Sequence, residues 1–197
     1  MKHALFDPVR AHGAWIYIFV SVAAGSMLGS QRGVEPALLV GTGFVGAYLL
    51  TAALVMGVTR KRKQALVGTG LLAAAPLLAL AIGADSKFLI PAACAALPAL
   101  AAVCCARMFG FLSPSAVISG VAALTFAAPT AAMAGGSSPE RAALLFGLLF
   151  PVFAWRSVRV GNSLSTQASW DSTALRSTGL REAALSALWT LAVLIAL

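Results

Sequence analysis

Two stretches, Leu71–Ile82 and Ile90–Ala106, carry no charged residue and would be apolar on every face of a helix. That feature constrains the chain most. A helix on the surface of a soluble protein keeps one polar side. A strand of a membrane barrel alternates polar and apolar residues over about ten positions. Neither pattern is present, so these stretches are buried in protein or in lipid. Composition decides between the two. Of 197 residues, 60% are hydrophobic and 10% charged, with a mean hydropathy of +0.91. Soluble domains carry roughly 25% charged residues, so too little polar surface is left to cover a globule in water. In lipid each backbone amide must be satisfied inside its own segment, and helices do this. The expectation is an all-α integral membrane protein, one polytopic bundle over residues 1–197.

A span needs about 20 apolar residues. Breaks at charges, Gly/Ser clusters and helix caps give seven candidate spans, at 13–30, 36–59, 64–83, 88–106, 114–134, 139–155 and 182–197. Glu35-Pro36, Ser113-Pro114 and Ser138-Pro139 each read as a polar N-cap followed by proline at the first helical position, where its missing N–H costs nothing. Gly135-Gly136-Ser137-Ser138 reads as a turn. Pro76, Pro91, Pro98, Pro129 and Pro151 fall inside spans and predict kinks. The last two spans are short. Lys2 and Arg10 before an apolar run ending near Ala23-Ala24-Gly25 also admit a signal-peptide reading. The full-length run, with Trp15 and Tyr17 as interfacial anchors, favours a retained span.

Charge then sets orientation. With the Arg60-Lys61-Arg62-Lys63 loop in the cytoplasm, alternation puts eleven basic residues inside: Lys2, Arg10, these four, Arg107, Arg156, Arg159, Arg176 and Arg181. Only Arg32, Lys87 and Arg141 fall outside. This bias predicts an N-terminus inside and a C-terminus outside. It also accounts for the net charge of +8 without nucleic acid as a partner. Residues 156–181 are expected to form a partly helical cytoplasmic loop at the membrane surface, with Trp155 and Trp170 at headgroup depth.

Several motifs resemble chemistry without supporting it. Gly41-Thr42-Gly43-Phe44-Val45-Gly46 matches a dinucleotide fingerprint, but no strand precedes it and no acid follows at the required distance. With Gly25 and Gly29 it reads as small residues that let helices approach closely. Cys94, Cys104 and Cys105 share one apolar run without a CxxC and read as packing residues. No span centre carries an acid, which weighs against ion-coupled transport. Hydroxyls at Ser21, Thr51, Thr69, Ser119, Thr125 and Thr190 are expected to bond back to their own helices. No cofactor is expected; His3 and His12 sit too close together on one segment to ligate haem across a bundle.

One constellation remains. Arg10, His12 and Trp15 stand at the cytoplasmic start of the first span, Arg156 and Arg159 at the end of the sixth, and Arg176, Arg181 and Glu182 at the start of the seventh. If those helices are neighbours, the residues share one rim. Arginine forks suit phosphate or carboxylate, and His12 titrates near neutral pH. The expected ligand is an anionic lipid or a phosphorylated small molecule. The plainer reading is that the arginines serve orientation and touch headgroups.

These residues resemble a family. Arg10-Ala11-His12-Gly13-Ala14-Trp15 is similar to the N-terminal signature of the YwiC-like bacterial membrane proteins, and Arg156-Ser157-Val158-Arg159 to their basic cluster at a late helix end. Arg176-x-x-Gly179-x-x-Glu182 resembles the start of their last helix. The resemblance covers both ends; the middle matches in hydropathy only. Ala11 departs from the acidic residue the family carries there. The resemblance implies a multi-pass protein of the bacterial cytoplasmic membrane and names no reaction. The leading expectation is therefore a polytopic membrane protein of non-catalytic function with an anion site at its cytoplasmic rim. A polyprenyltransferase-like enzyme is the rival, but its aspartate-rich pairs are missing. A small-molecule permease is the third reading.

Overall fold

The computed structural model describes residues 12–165 and 172–197. The chain is all-helical, with no strand among the described residues. Eight helices follow in order: α1 His12–Leu28, α2 Glu35–Met56, α3 Arg62–Ala81, α4 Leu89–Phe109, α5 Pro114–Thr125, α6 Ala127–Ala134, α7 Pro139–Ser165 and α8 Ser172–Ala196. Because α5 and α6 continue one another as a single rod, seven rods result. Five of them are long and apolar enough to cross a membrane, and the apolar parts of the other two, Ala14–Leu28 and Ala184–Ala196, are shorter. Large aliphatic side chains face outward: Leu97 is 74% exposed and Ile195 79%. Such an exterior suits lipid and would be an aggregation liability in water.

The middle of the bundle is α6, all eight of whose residues are buried. It reaches that position because its residues are small and because α1 offers glycines to it. A Cβ added at Gly25 or Gly29 would collide with the backbone of Ala128 or Ala132. Small residues that let backbones approach this closely are the packing device typical of helices in lipid. The same device joins α2 to α3, where a Cβ on Gly46 would lie 2.7 Å from the Gly68 carbonyl oxygen, and the reverse holds for Gly68. The Gly41–Gly46 motif therefore has the packing role read for it, with Gly41 against Val22.

Local chemistry accounts for most boundaries. Ser113 and Ser138 cap α5 and α7, their hydroxyls accepting from Ala116 N–H and Arg141 N–H at 3.4 Å each. Glu35 departs from its expected role: it is the first residue of α2 and makes no cap; Val34 stands in that place without a side-chain bond. Pro129 does more than kink. It has no N–H for the Thr125 carbonyl and its ring crowds that carbonyl, and the helix breaks at Phe126 between α5 and α6. Pro76, Pro98 and Pro151 lie within continuous helices.

Residues 156–181 carry more helix than a partly helical loop suggests: α7 runs on to Ser165 and α8 begins at Ser172, so these helices have 27 and 25 residues, and 166–171 lie outside the described residues. A helix continues past its apolar part until something stops it, and residues 156–165 hold no proline. Trp170 lies outside the described residues.

At the end of the bundle where α1 finishes, the connections are tied together. Arg32 N–H donates to the Gly135 carbonyl at 3.1 Å and Asp85 N–H to the Ala134 carbonyl at 3.3 Å. The Arg32 guanidinium donates to the Gly83 carbonyl at 2.8 Å and faces Asp85 at 3.5 Å. These bonds hold the ends of α1, α3 and α6 and the start of α4 in one polar cap.

Candidate functional site: the arginine rim

At the opposite end, α1, α7 and α8 are neighbours, which the rim required. Arg156, on α7, donates through Nε to Glu182 Oε2 on α8 at 2.7 Å. The two side chains are 12% and 25% exposed. Beside them the Ser157 hydroxyl donates to Tyr17 Oη on α1 at 2.8 Å. Consecutive residues of α7 thus grip both other helices, one through an ion pair and one through a neutral bond. An Arg–carboxylate pair is directional and strong when shielded from water.

The other basic residues do not converge on Glu182. Arg159 lies over the ring of Trp155, 5.7 Å from its centroid, and that tryptophan is 63% exposed. This is cation–π geometry on the outer surface of α7. Arg181 is exposed at the start of the described α8 side chains. Trp15 is half-buried, stacked with Phe19 at 6.3 Å and edge-on to Tyr48 at 5.3 Å, so it packs α1 on α2. Arg10 lies outside the described residues. The backbone of His12 begins α1 and that of Arg176 lies in the second turn of α8, and their side chains lie outside the described residues.

Tyr17 departs from the interfacial role expected of it. It is buried against Phe153, ring centroids 4.8 Å apart, and carries its hydroxyl to Ser157. Nothing in the sequence distinguished it from Trp15 as an anchor; the register of α7 against α1 was the missing information. One turn further along their helices, Ser21 and Ser186 are completely buried, and neither hydroxyl has a partner among the described residues. Thr51, Thr69, Thr125 and Thr190 bond back to carbonyls four residues earlier, as expected. Ser21 breaks that pattern.

Among the described residues, no group of three His, Cys, Asp or Glu side chains is placed to hold a metal ion. A further basic residue closes this end: Arg107 on α4 donates to the Leu54 carbonyl in the last turn of α2, where a cation also meets the negative end of the helix dipole. The rim can therefore do two things chemically. It carries a fixed, shielded ion pair, and it presents the cations Arg159 and Arg181 outward. No family model, curated protein or solved structure matches this chain.

Proposed function

We propose that the protein is a seven-span protein of the bacterial cytoplasmic membrane, N-terminus inside and C-terminus outside, related to the YwiC-like family. In this reading it binds an anionic ligand at its cytoplasmic rim, a phospholipid headgroup or a phosphorylated small molecule. The observation carrying the reading is the Arg156–Glu182 pair beside the Tyr17–Ser157 bond. Together they clamp α1, α7 and α8 and leave Arg159 and Arg181 turned to the surface as available cations. Arginine forks recognise phosphate in two-point geometry. Arg10, His12 and Arg176 belong to the same ends of these helices in sequence, and His12 is the group that would make binding respond to pH near neutrality.

The test is lipid retention. Purified wild-type protein and Arg159→Gln/Arg181→Gln are compared for co-purifying phosphatidylglycerol by mass spectrometry. The reading expects the variant to lose most of the anionic lipid held by the wild type while keeping zwitterionic lipid. Equal retention of anionic lipid by both proteins contradicts it.

A further inference from the structure

The tied end of the bundle, opposite the rim, holds a cleft of about 490 Å³. Leu28 and Pro139 supply apolar lining; Gln31, Asp85, Lys87, Ser137 and Arg141 supply the polar groups. The carboxylates here are engaged locally. Asp85 Oδ1 accepts from the Lys87 backbone N–H at 3.0 Å and Oδ2 faces Arg32 at 3.5 Å. Glu140 accepts from its own backbone N–H and from Ser138, with Lys87 within electrostatic range. The start of α7 is already capped by Ser138, so its amides are not on offer.

Donors remain. The Arg141 guanidinium and the Lys87 ammonium make no ion pair within bonding distance among the described residues. The Ser137 hydroxyl oxygen is buried and has no hydrogen-bond partner there. A buried hydroxyl without a partner is costly, and this one belongs to a residue lining the cleft. Of the charged groups around the cleft, the cations Arg32, Lys87 and Arg141 outnumber the acids Asp85 and Glu140.

We propose that this cleft binds an oxyanion, a phosphate or carboxylate group, through Lys87, Arg141 and Ser137. Lys87 supplies a mobile point charge and Arg141 a planar fork; the Ser137 hydroxyl, whose oxygen is closed off from solvent, joins them by turning about χ1. The site is separate from the arginine rim, and neither depends on the other. A free anion and the headgroup of a lipid in the facing leaflet share this chemistry.

The experiment uses the purified full chain in nonionic detergent, with inorganic phosphate as probe. Thermal unfolding is followed across a phosphate titration and across sodium chloride of equal ionic strength. Phosphate is expected to raise Tm beyond the chloride control. Lys87→Gln and Arg141→Gln should each weaken the apparent affinity roughly tenfold, as expected from removing one charge-assisted hydrogen bond, and Ser137→Ala less. In an Arg159→Gln/Arg181→Gln background, which removes the rim's own cations, a phosphate response that depends on Lys87 and Arg141 should remain. Repeating the titration in nanodiscs separates the sources. Loss of the response in phosphatidylglycerol but not in phosphatidylcholine identifies the headgroup as occupant, and a response in both identifies a free anion. The proposal is overturned if phosphate and chloride act equally in detergent, if the Lys87 and Arg141 variants respond as wild type, or if only the rim variant loses the response.

Discussion

Arg156 brings a permanent charge to a position 12% exposed, and Glu182 is what makes that tolerable. Removing one partner of a shielded pair leaves the other charge without compensation, whereas removing both can be nearly neutral. Glu182→Gln is therefore expected to cost about 3 kcal/mol, toward the low end for a broken buried pair because Glu182 keeps a quarter of its surface. Arg156→Met/Glu182→Leu should recover most of that loss. Unfolding in mixed micelles of mild detergent and SDS measures both, and additive losses would show that the pair is not coupled. Next to it, Tyr17→Phe deletes one neutral hydrogen bond and leaves the Ser157 hydroxyl without its acceptor. About 1 kcal/mol is expected by the same assay, and no change would assign that bond no structural weight. These residues were legible only in part. The sequence singled out Arg156 and Glu182 by charge and position, but their pairing depends on the register of α7 against α8. Tyr17 was marked only as an interfacial anchor and Ser157 only as part of a basic cluster; nothing in the sequence linked the two.

At the scale of elements, glycine decides contact. Gly25 and Gly29 bring α1 against the backbone of α6, and Gly46 and Gly68 bring α2 against α3. By contrast, Gly147 in α7 has open space around it. Gly29→Val should thus separate α1 from α6 at a cost of about 3 kcal/mol or more, since backbone cannot yield as a side chain does. Gly147→Ala should be neutral or stabilising by up to about 1 kcal/mol through helix propensity. Melting temperatures of the two variants distinguish the cases, and equal losses would refute the packing assignment. Hydropathy located all seven rods because the cost of exposing charge to lipid leaves a strong imprint on composition. It did not mark where α7 ends or α8 begins, because a helix needs no apolar residues to persist beyond its apolar part. It read Pro129 as a kink, and the structure interrupts the α5–α6 rod at the single residue Phe126, one turn earlier. Which of these two occurs depends on whether the surroundings re-satisfy the freed carbonyl, and a single sequence does not record that.

At the scale of the whole molecule, the two ends differ in character. One is tied by backbone and side-chain bonds among Arg32, Gly83, Asp85, Ala134 and Gly135. The other is held by the Arg156–Glu182 pair and carries outward-facing arginines. In the proposed topology, the eleven-to-three division of basic residues places that second end in the cytoplasm. Every functional proposal for the rim inherits this assignment, because an anion site at the cytoplasmic face meets a different lipid leaflet and different solutes from one outside. The proposed orientation follows from charge and rod count together. It is tested most directly by reporters fused after Leu197 and within the Arg60–Lys63 loop, expressed in bacteria. The account predicts that alkaline phosphatase is active and green fluorescent protein dark after Leu197, with the reverse in the loop. Phosphatase activity in the loop together with fluorescence after Leu197 would contradict it.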